Sequence, residues 1–294
     1  MLRNKFLSVL LLLVMSISAA CAPQTAPTTE SAAPASVPAA AVPAPTEVPP
    51  AAAPQPVTLT VLAAASLTES FTEIGKLFEA AHPGVTVTFS FAGSQMLAQQ
   101  LDQGAPADVF ASASKKYMDA AVTSNRVSKD TSQIFAKNRL IVIYPAANTA
   151  GIKELKDLAK PGIKLDFGDK TVPCGAYSLD FLDKASKDSS FDTGFKDAVL
   201  KNVVSYEDNV KSIITKVTVA EADAGIVYVT DVTAAVEPKT GTLAIPDALN
   251  TIASYPMAAI SDSKNPDLAK AFIDFVLSTD GQAVLAKYKF LPIK

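Results

Sequence analysis

The feature that most constrains this chain is an alternation of strand-like and helix-like segments that begins at Val57 and continues along the sequence. The strand-like segments are short apolar or alternating runs, and the clearest are residues 57–63, 85–91, 140–144 and 225–228. The helix-like segments repeat apolar residues every three or four positions, and the clearest follow Ser66, Ser94, Asn209 and Asn265. Regular alternation of this kind predicts an α/β fold with largely parallel sheets.

The residues before this alternation have a different composition. Residues 1–20 place Arg3 and Lys5 before an apolar run that ends in small residues, which is the order of a secretory signal peptide. Residues 22–56 are mostly Ala, Pro, Thr and Ser and hold ten of the chain's 20 prolines. Since proline fixes φ and lacks an N–H donor, this stretch predicts an extended, disordered linker. We therefore expect an exported chain whose folded body spans about residues 57–294.

Composition argues against several classes of function. The 26 basic and 29 acidic residues give a net charge of −3, which is unlike a nucleic-acid-binding protein. One histidine and two cysteines, His82, Cys21 and Cys174, are too few for a zinc site built from several such ligands. A secreted α/β hydrolase stays open as an alternative, because fold alone does not give function, but it would have to rely on His82.

Three predicted helices begin at turns marked by Ser66, Ser94 and the pair Asn209-Val210. The first N–H groups of a helix have no partner within it and carry a partial positive charge. Helix N-termini that converge would therefore bind an anion without Lys or Arg. The alternative is that Ser66 and Ser94 only cap their helices. The acidic residues Asp166, Asp169, Glu207 and Asp208 are expected to be solvated surface residues.

Small residues, hydroxyls and turns combine in segments spread along the whole body: Ala63-Ala-Ala-Ser66-Leu67-Thr68, Phe91-Ala-Gly-Ser94, Gln103-Gly-Ala-Pro-Ala-Asp-Val-Phe110, residues 168–177, residues 208–211 and residues 225–228. In this order they closely resemble the molybdate-binding proteins of bacterial ABC importers. The resemblance covers essentially all of residues 57–294.

This resemblance implies a two-lobed periplasmic-binding-protein fold of type II, each lobe a mixed, mostly parallel sheet flanked by helices. The first lobe would comprise about residues 57–141 plus 256–294, and the second about 142–255. The cleft between them would hold molybdate, or tungstate, through hydroxyls, a phenol and backbone N–H groups of five residues: Ser66, Ser94, Cys174, Val210 and Tyr228. No catalytic residue and no cofactor are expected, and metal would enter only as the oxyanion.

The resemblance also implies a receptor rather than an enzyme, with the permease and ATPase subunits of an ABC importer as partners. Cys21 follows Ser18-Ala19-Ala20, which resembles the lipobox of bacterial lipoproteins. We expect Cys21 to be lipidated and to hold a monomeric body at the cell membrane, facing the periplasm or the cell exterior. Another oxyanion such as sulfate remains open as the ligand, because it has the same charge and shape.

Overall fold

A computed structural model describes residues 56–293, so the expected signal peptide, the lipidation site at Cys21 and all but the last residue of the expected linker lie outside the described residues. Ten strands lie within this range: β1 (Val57–Ala64), β2 (Val85–Ala92), β3 (Val109–Ala111), β4 (Gln133–Asn138), β5 (Leu140–Pro145), β6 (Leu165–Gly168), β7 (Val203–Glu207), β8 (Ala224–Tyr228), β9 (Thr240–Ala244) and β10 (Ala253–Ala259). Eight α-helices lie in the same range: α1 (Thr68–Ala81), α2 (Ser94–Asp102), α3 (Lys115–Thr123), α4 (Pro173–Ala185), α5 (Phe195–Lys201), α6 (Val210–Thr218), α7 (Pro266–Leu277) and α8 (Thr279–Lys287). The four strands predicted from the sequence are present, with ends within about one residue of those predicted.

The strands form two mixed sheets of five strands each. The first has the order β2-β1-β3-β10-β4, in which β1 runs parallel to β2 and β3 while β10 is antiparallel to its neighbours. The second has the order β7-β6-β8-β5-β9, in which β6 runs parallel to β7 and β8 while β5 is antiparallel to its neighbours. Helices flank both sheets, which confirms the α/β fold with two lobes of mixed sheet. The expectation of mostly parallel sheets is wrong, because each sheet has two parallel and two antiparallel pairs of strands.

The chain crosses between the sheets slightly earlier than the sequence predicts. Leu140 and Ile141 already pair with Tyr228 and Val227 of the second sheet, although residues up to 141 were assigned to the first lobe. At the second crossing β10 begins at Ala253, so Tyr255 belongs to the first sheet. The reason is that each of these strands pairs along its whole length with one sheet. The apolar sequence of a buried strand does not show to which of the two sheets the strand belongs.

The helical apolar residues form the core as their spacing predicts. In α1 they include Phe71, Ile74 and Phe78, all fully buried. Phe71 and Phe78 both pack against Phe272 of α7, with ring centroids 6.0 and 5.3 Å apart. Burying one such side chain contributes about 1.5–3 kcal/mol, so this cluster fixes α1 on its sheet and sets the position of the turn before it.

Asp166 differs from expectation. It was predicted to be a solvated surface residue, but it is 0% exposed on the short strand β6. Its neighbours Leu165 and Phe167 are buried as well, because β6 is an internal strand with partners on both sides. Within residues 56–293, none of the helices combines the length and apolarity needed to cross a bilayer.

Candidate functional site

A small cleft between the two lobes brings together all five residues that the sequence assigns to a ligand. Its empty volume is about 220 Å³. This figure includes space open to solvent, and the region that the centre of a water-sized sphere can reach is about 10 Å³, so the cleft is narrow and suits only a small ligand. The lining residues carry no charged side chain: Ala64, Ala65, Ser66, Ala92, Gly93, Ser94, Ala113, Val172, Pro173, Cys174, Asn209, Val210 and Tyr228.

Ser66 lies in a short 3₁₀ turn between β1 and α1. Its Oγ is 2.9 Å from the Oη atom of Tyr255, and its side chain is 5% exposed. The N-cap of α1 is Leu67, and no side-chain capping bond is present there. Capping by Ser66, the alternative that the sequence left open, is therefore wrong, and Ser66 lines the cleft instead.

Ser94 is the first residue of α2 and does not cap it either, because Gly93 occupies the N-cap position. The Ser94 Oγ accepts a hydrogen bond of 3.0 Å from the Ala113 N–H. Since its oxygen accepts this hydrogen bond, the hydroxyl hydrogen of the 1% exposed Ser94 remains available as a donor.

Two helices of the second lobe begin at the cleft. The Asn209 side chain caps α6 by accepting from the N–H groups of Lys211 and Ser212, at 2.9 and 3.2 Å. This cap does not use the N–H of Val210, the first helical residue. In α4 the first residue is Pro173, which has no N–H, so the N–H of Cys174 is the first donor of that helix. Both helix starts present their partial positive charge to the cleft.

Glycine at position 175 allows α4 to begin close to the end of β6. A Cβ atom there would lie 2.2 Å from the carbonyl oxygen of Asp169 and 2.3 Å from that of Gly168. Cys174 beside it is 1% exposed, and burial raises the pKa of its thiol, with the nearby Asp231 adding to this effect. The thiol therefore stays protonated, and its side chain acts as a small packed group.

Tyr228 supplies the clearest sign of a ligand. It ends β8, is 1% exposed, and its Oη forms no hydrogen bond with any residue of the described range. Burial raises the pKa of this phenol well above its ordinary value, so it remains an O–H donor. A buried donor without a partner costs about 1–3 kcal/mol. An acceptor bound in the cleft would remove that cost.

Charged groups beside the cleft form ion pairs with one another. Lys211 Nζ lies 2.7 Å from Glu69 Oε2 of the first lobe and 3.1 Å from Asp231 Oδ1 of the second. Burial raises the pKa of Asp231, and Lys211 opposes that rise. In residues 56–293 no group of three or more His, Cys, Asp or Glu side chains is arranged to hold a metal ion. The cleft thus offers neutral donors to its ligand.

Further hydrogen bonds join the lobes around the cleft. Gln95 Nε2 donates to the Asp208 carbonyl at 2.6 Å, and Tyr117 Oη donates to the Thr171 carbonyl. Together with the Lys211–Glu69 pair, these contacts join the two lobes. Tyr255, whose Oη contacts Ser66 Oγ, is not among the site residues predicted from the sequence. One sequence feature could have pointed to Tyr255. It is a tyrosine in a strand of small and apolar residues, and a tyrosine hydroxyl buried in such a strand needs a hydrogen-bond partner.

Two mixed α/β lobes joined by two crossings, with a small polar cleft between them, define a solute-binding protein of the periplasmic type. A family model described as bacterial extracellular solute-binding protein matches residues 59–291, and the chain belongs to this family.

Similar proteins support the resemblance seen in the sequence. The molybdate-binding protein ModA of Mycobacterium tuberculosis is 36% identical over 233 residues, covering 79% of this chain and 84% of that protein. YvgL of Bacillus subtilis, whose name describes an ABC transporter substrate-binding lipoprotein, is 30% identical over 235 residues, covering 80% and 86%. The solved structure of the sulfate-binding protein SubI from Mycobacterium tuberculosis superposes with a TM-score of 0.73 at 18% identity, covering 81% and 88%, which shows the fold alone. The predicted resemblance to molybdate-binding proteins is confirmed.

Proposed function

We propose that this protein is an extracytoplasmic receptor that binds molybdate, or tungstate, between its lobes and delivers it to an ABC importer. The observation that carries the proposal is the unpartnered, buried Tyr228 hydroxyl in a cleft that has donors and no charged side chain. A tetrahedral dianion presents only acceptors, so it matches such a cleft. The name of the ModA relative supports the choice of molybdate.

Five neutral donors would hold the anion. The hydroxyls of Ser66 and Ser94 come from the first lobe, while the second lobe supplies the N–H groups of Cys174 and Val210 and the Tyr228 phenol. A hydrogen bond to a charged group contributes about 1.5–3 kcal/mol, and fixed donors shielded from water lose little free energy in reorganising. Because the ligand contacts both lobes, its binding favours the closed form.

Protonation state and size would set the selectivity. Hydrogen phosphate carries a proton for which an all-donor cleft has no acceptor, and this mismatch costs about 1–3 kcal/mol. Sulfate has no such proton, so it can be rejected only through the fit of the cleft to a larger anion.

A hydrolase has no support in the geometry. His82 lies at the C-terminal end of α1, and its Nδ1 is 2.9 Å from the Phe78 carbonyl. The cleft is at the other end of this 14-residue helix. At about 1.5 Å per residue, the imidazole is roughly 20 Å from Ser66. We therefore propose binding without turnover.

Lipid anchoring at Cys21 is a second part of the proposal. It is supported by the lipobox-like residues 18–21 and by the name of the YvgL relative. The permease and ATPase partners follow from the proposed class of receptor.

The test is a calorimetric titration with molybdate, tungstate, sulfate and phosphate. We expect molybdate and tungstate to bind most tightly, and Tyr228→Phe to weaken molybdate binding by about 10–100-fold, the value of one hydrogen bond to a charged group. The matched control is Tyr206→Phe, which removes the same atom from a 53% exposed side chain in the same lobe. Tighter binding of sulfate than of molybdate, or an unchanged affinity in Tyr228→Phe, would refute the assignment.

A further inference from the structure

A chain of buried hydrogen bonds runs behind the first-lobe wall of the cleft. Tyr255 Oη lies 2.9 Å from Ser66 Oγ and 3.3 Å from Asn138 Nδ2, and that same Nδ2 lies 2.8 Å from Thr230 Oγ1. These four residues are at most 5% exposed. Asn138 ends β4 immediately before the first crossing, and Tyr255 lies in β10 immediately after the second. This series of hydrogen bonds therefore links the Ser66 hydroxyl in the cleft to both of the segments that connect the lobes.

The direction of each hydrogen bond follows from its partners. The Asn138 Oδ1 accepts from the Arg139 N–H at 2.9 Å, so the amide nitrogen of Asn138 must face Tyr255 and Thr230. Tyr255 Oη then accepts from Asn138 and has its own hydrogen to donate. Among the described residues, Ser66 Oγ is the acceptor within its reach. If Ser66 donated to Tyr255 instead, the buried Tyr255 hydrogen would have no partner.

Once Ser66 accepts from Tyr255, its own hydrogen is free to point into the cleft. We infer that Tyr255 is a positioning residue for the bound anion: it holds the Ser66 hydroxyl as a donor directed at the ligand. This inference rests on the proposed function. A serine hydroxyl without such a partner rotates among staggered positions, of which only some aim at the ligand. Hydrogen bonds in series also polarise one another, which strengthens the terminal donor.

Ser94 provides an internal comparison. Its oxygen accepts from the backbone N–H of Ala113, so the main chain orients this hydroxyl. Tyr255 performs for Ser66 what the Ala113 backbone performs for Ser94. The two serines should therefore respond differently when the Tyr255 hydroxyl is removed, and this difference separates a positioning role from a general structural one.

The experiment is a pair of double-mutant cycles read by calorimetry with molybdate. Tyr255→Phe alone should weaken binding by about 5–20-fold, because a misdirected hydroxyl loses part of a hydrogen bond to a charged group. In the Ser66→Ala background the same change should cost less than about twofold, since the hydroxyl that it orients is gone. In the Ser94→Ala background it should keep its full effect. A general loosening of the cleft would cost the same in all three backgrounds, and that result would overturn the inference.

A control variant and a substitute variant keep the outcome interpretable. Tyr288→Phe removes a hydroxyl that donates to Glu73 elsewhere in the first lobe, and it should leave molybdate affinity unchanged. If Tyr255→Phe does not fold, Asn138→Ala takes its place in both cycles, because it removes the donor that sets the direction of Tyr255. Failure of the unmodified protein to bind molybdate would refute the proposed function, whereas normal binding with additive cycles would refute only the role of Tyr255.

Discussion

Replacing Asp166 by asparagine should remove a pH dependence from the stability of the folded protein. Asp166 is fully buried, and its carboxyl group lies close to that of Glu207 on the neighbouring strand β7. Burial, followed by the negative charge of Glu207, raises its pKa from 3.8 to about 7, while Lys216 opposes this and Glu221 adds to it. The charges that act on Asp166 thus come from β7, from α6 and from the turn after α6.

The sign of the effect follows from the direction of the shift. A carboxyl group whose pKa is higher in the folded state stabilises that state while it is protonated, and this contribution is lost as pH rises from about 4 to about 7. The difference between 3.8 and about 7, at about 1.36 kcal/mol for each pH unit, amounts to about 4 kcal/mol. An asparagine has no proton to lose, so the variant should not show this loss.

The assay is urea unfolding of the unmodified protein and of Asp166→Asn at several pH values between about 5 and 8.5. The part of this effect that falls between pH 5 and about 7 spans about two pH units, so the free energy of unfolding of the variant, relative to the unmodified protein, should rise by about 3 kcal/mol across the assay. Asp169→Asn is the control, because Asp169 is half-buried and hydrogen bonds from Thr171 lower its pKa. A constant difference between Asp166→Asn and the unmodified protein at all pH values would refute the reasoning.

Three further predictions concern the cleft and the anchor. Cys174→Ala should change molybdate affinity by less than about twofold in calorimetry, because only the main-chain N–H of this residue is proposed to bind; a large shift in the molybdate-to-sulfate ratio would contradict this. Glu69→Gln removes the first-lobe partner of Lys211, so small-angle scattering of the ligand-free variant should show a larger radius of gyration, and an identical profile would count against the lobe-closing role. Cys21→Ser should release the protein from membrane fractions, as judged by sedimentation after a salt wash, and continued sedimentation would argue against lipid anchoring.

The strands and helices were predictable because their apolar residues repeat at the spacing that each element buries. The strand over residues 140–145 and the helix beginning at Pro266 are examples. The capping role was not predictable for Ser66 and Ser94. An N-cap differs from a first helical residue by one position, and that position depends on which main-chain hydrogen bonds form. The side chain of Asn265 likewise leaves α7 uncapped and donates to Asp108 instead.

The positions of the candidate ligand residues followed from a resemblance that spans the body of the chain, and the structure brings all five to one cleft. The buried contacts behind them could not be predicted. Tyr255 and Ser66 are 189 residues apart, and their pairing depends on how the second crossing returns the chain to the first sheet. The burial of Asp166 was missed for a related reason, since a single carboxylate in a four-residue strand has no periodic pattern to reveal which way it faces.

The neutral lining of the cleft has a consequence for how quickly an anion arrives. The chain carries 29 acidic and 26 basic residues, so a dianion approaches a surface that repels it overall. A site lined by Lys or Arg attracts anions over several ångströms, and added salt slows their capture. Here added salt should screen the repulsion and speed capture instead. The rate of association would then differ little between oxyanions. The protein would discriminate between them mainly through the rate at which the closed lobes release each one.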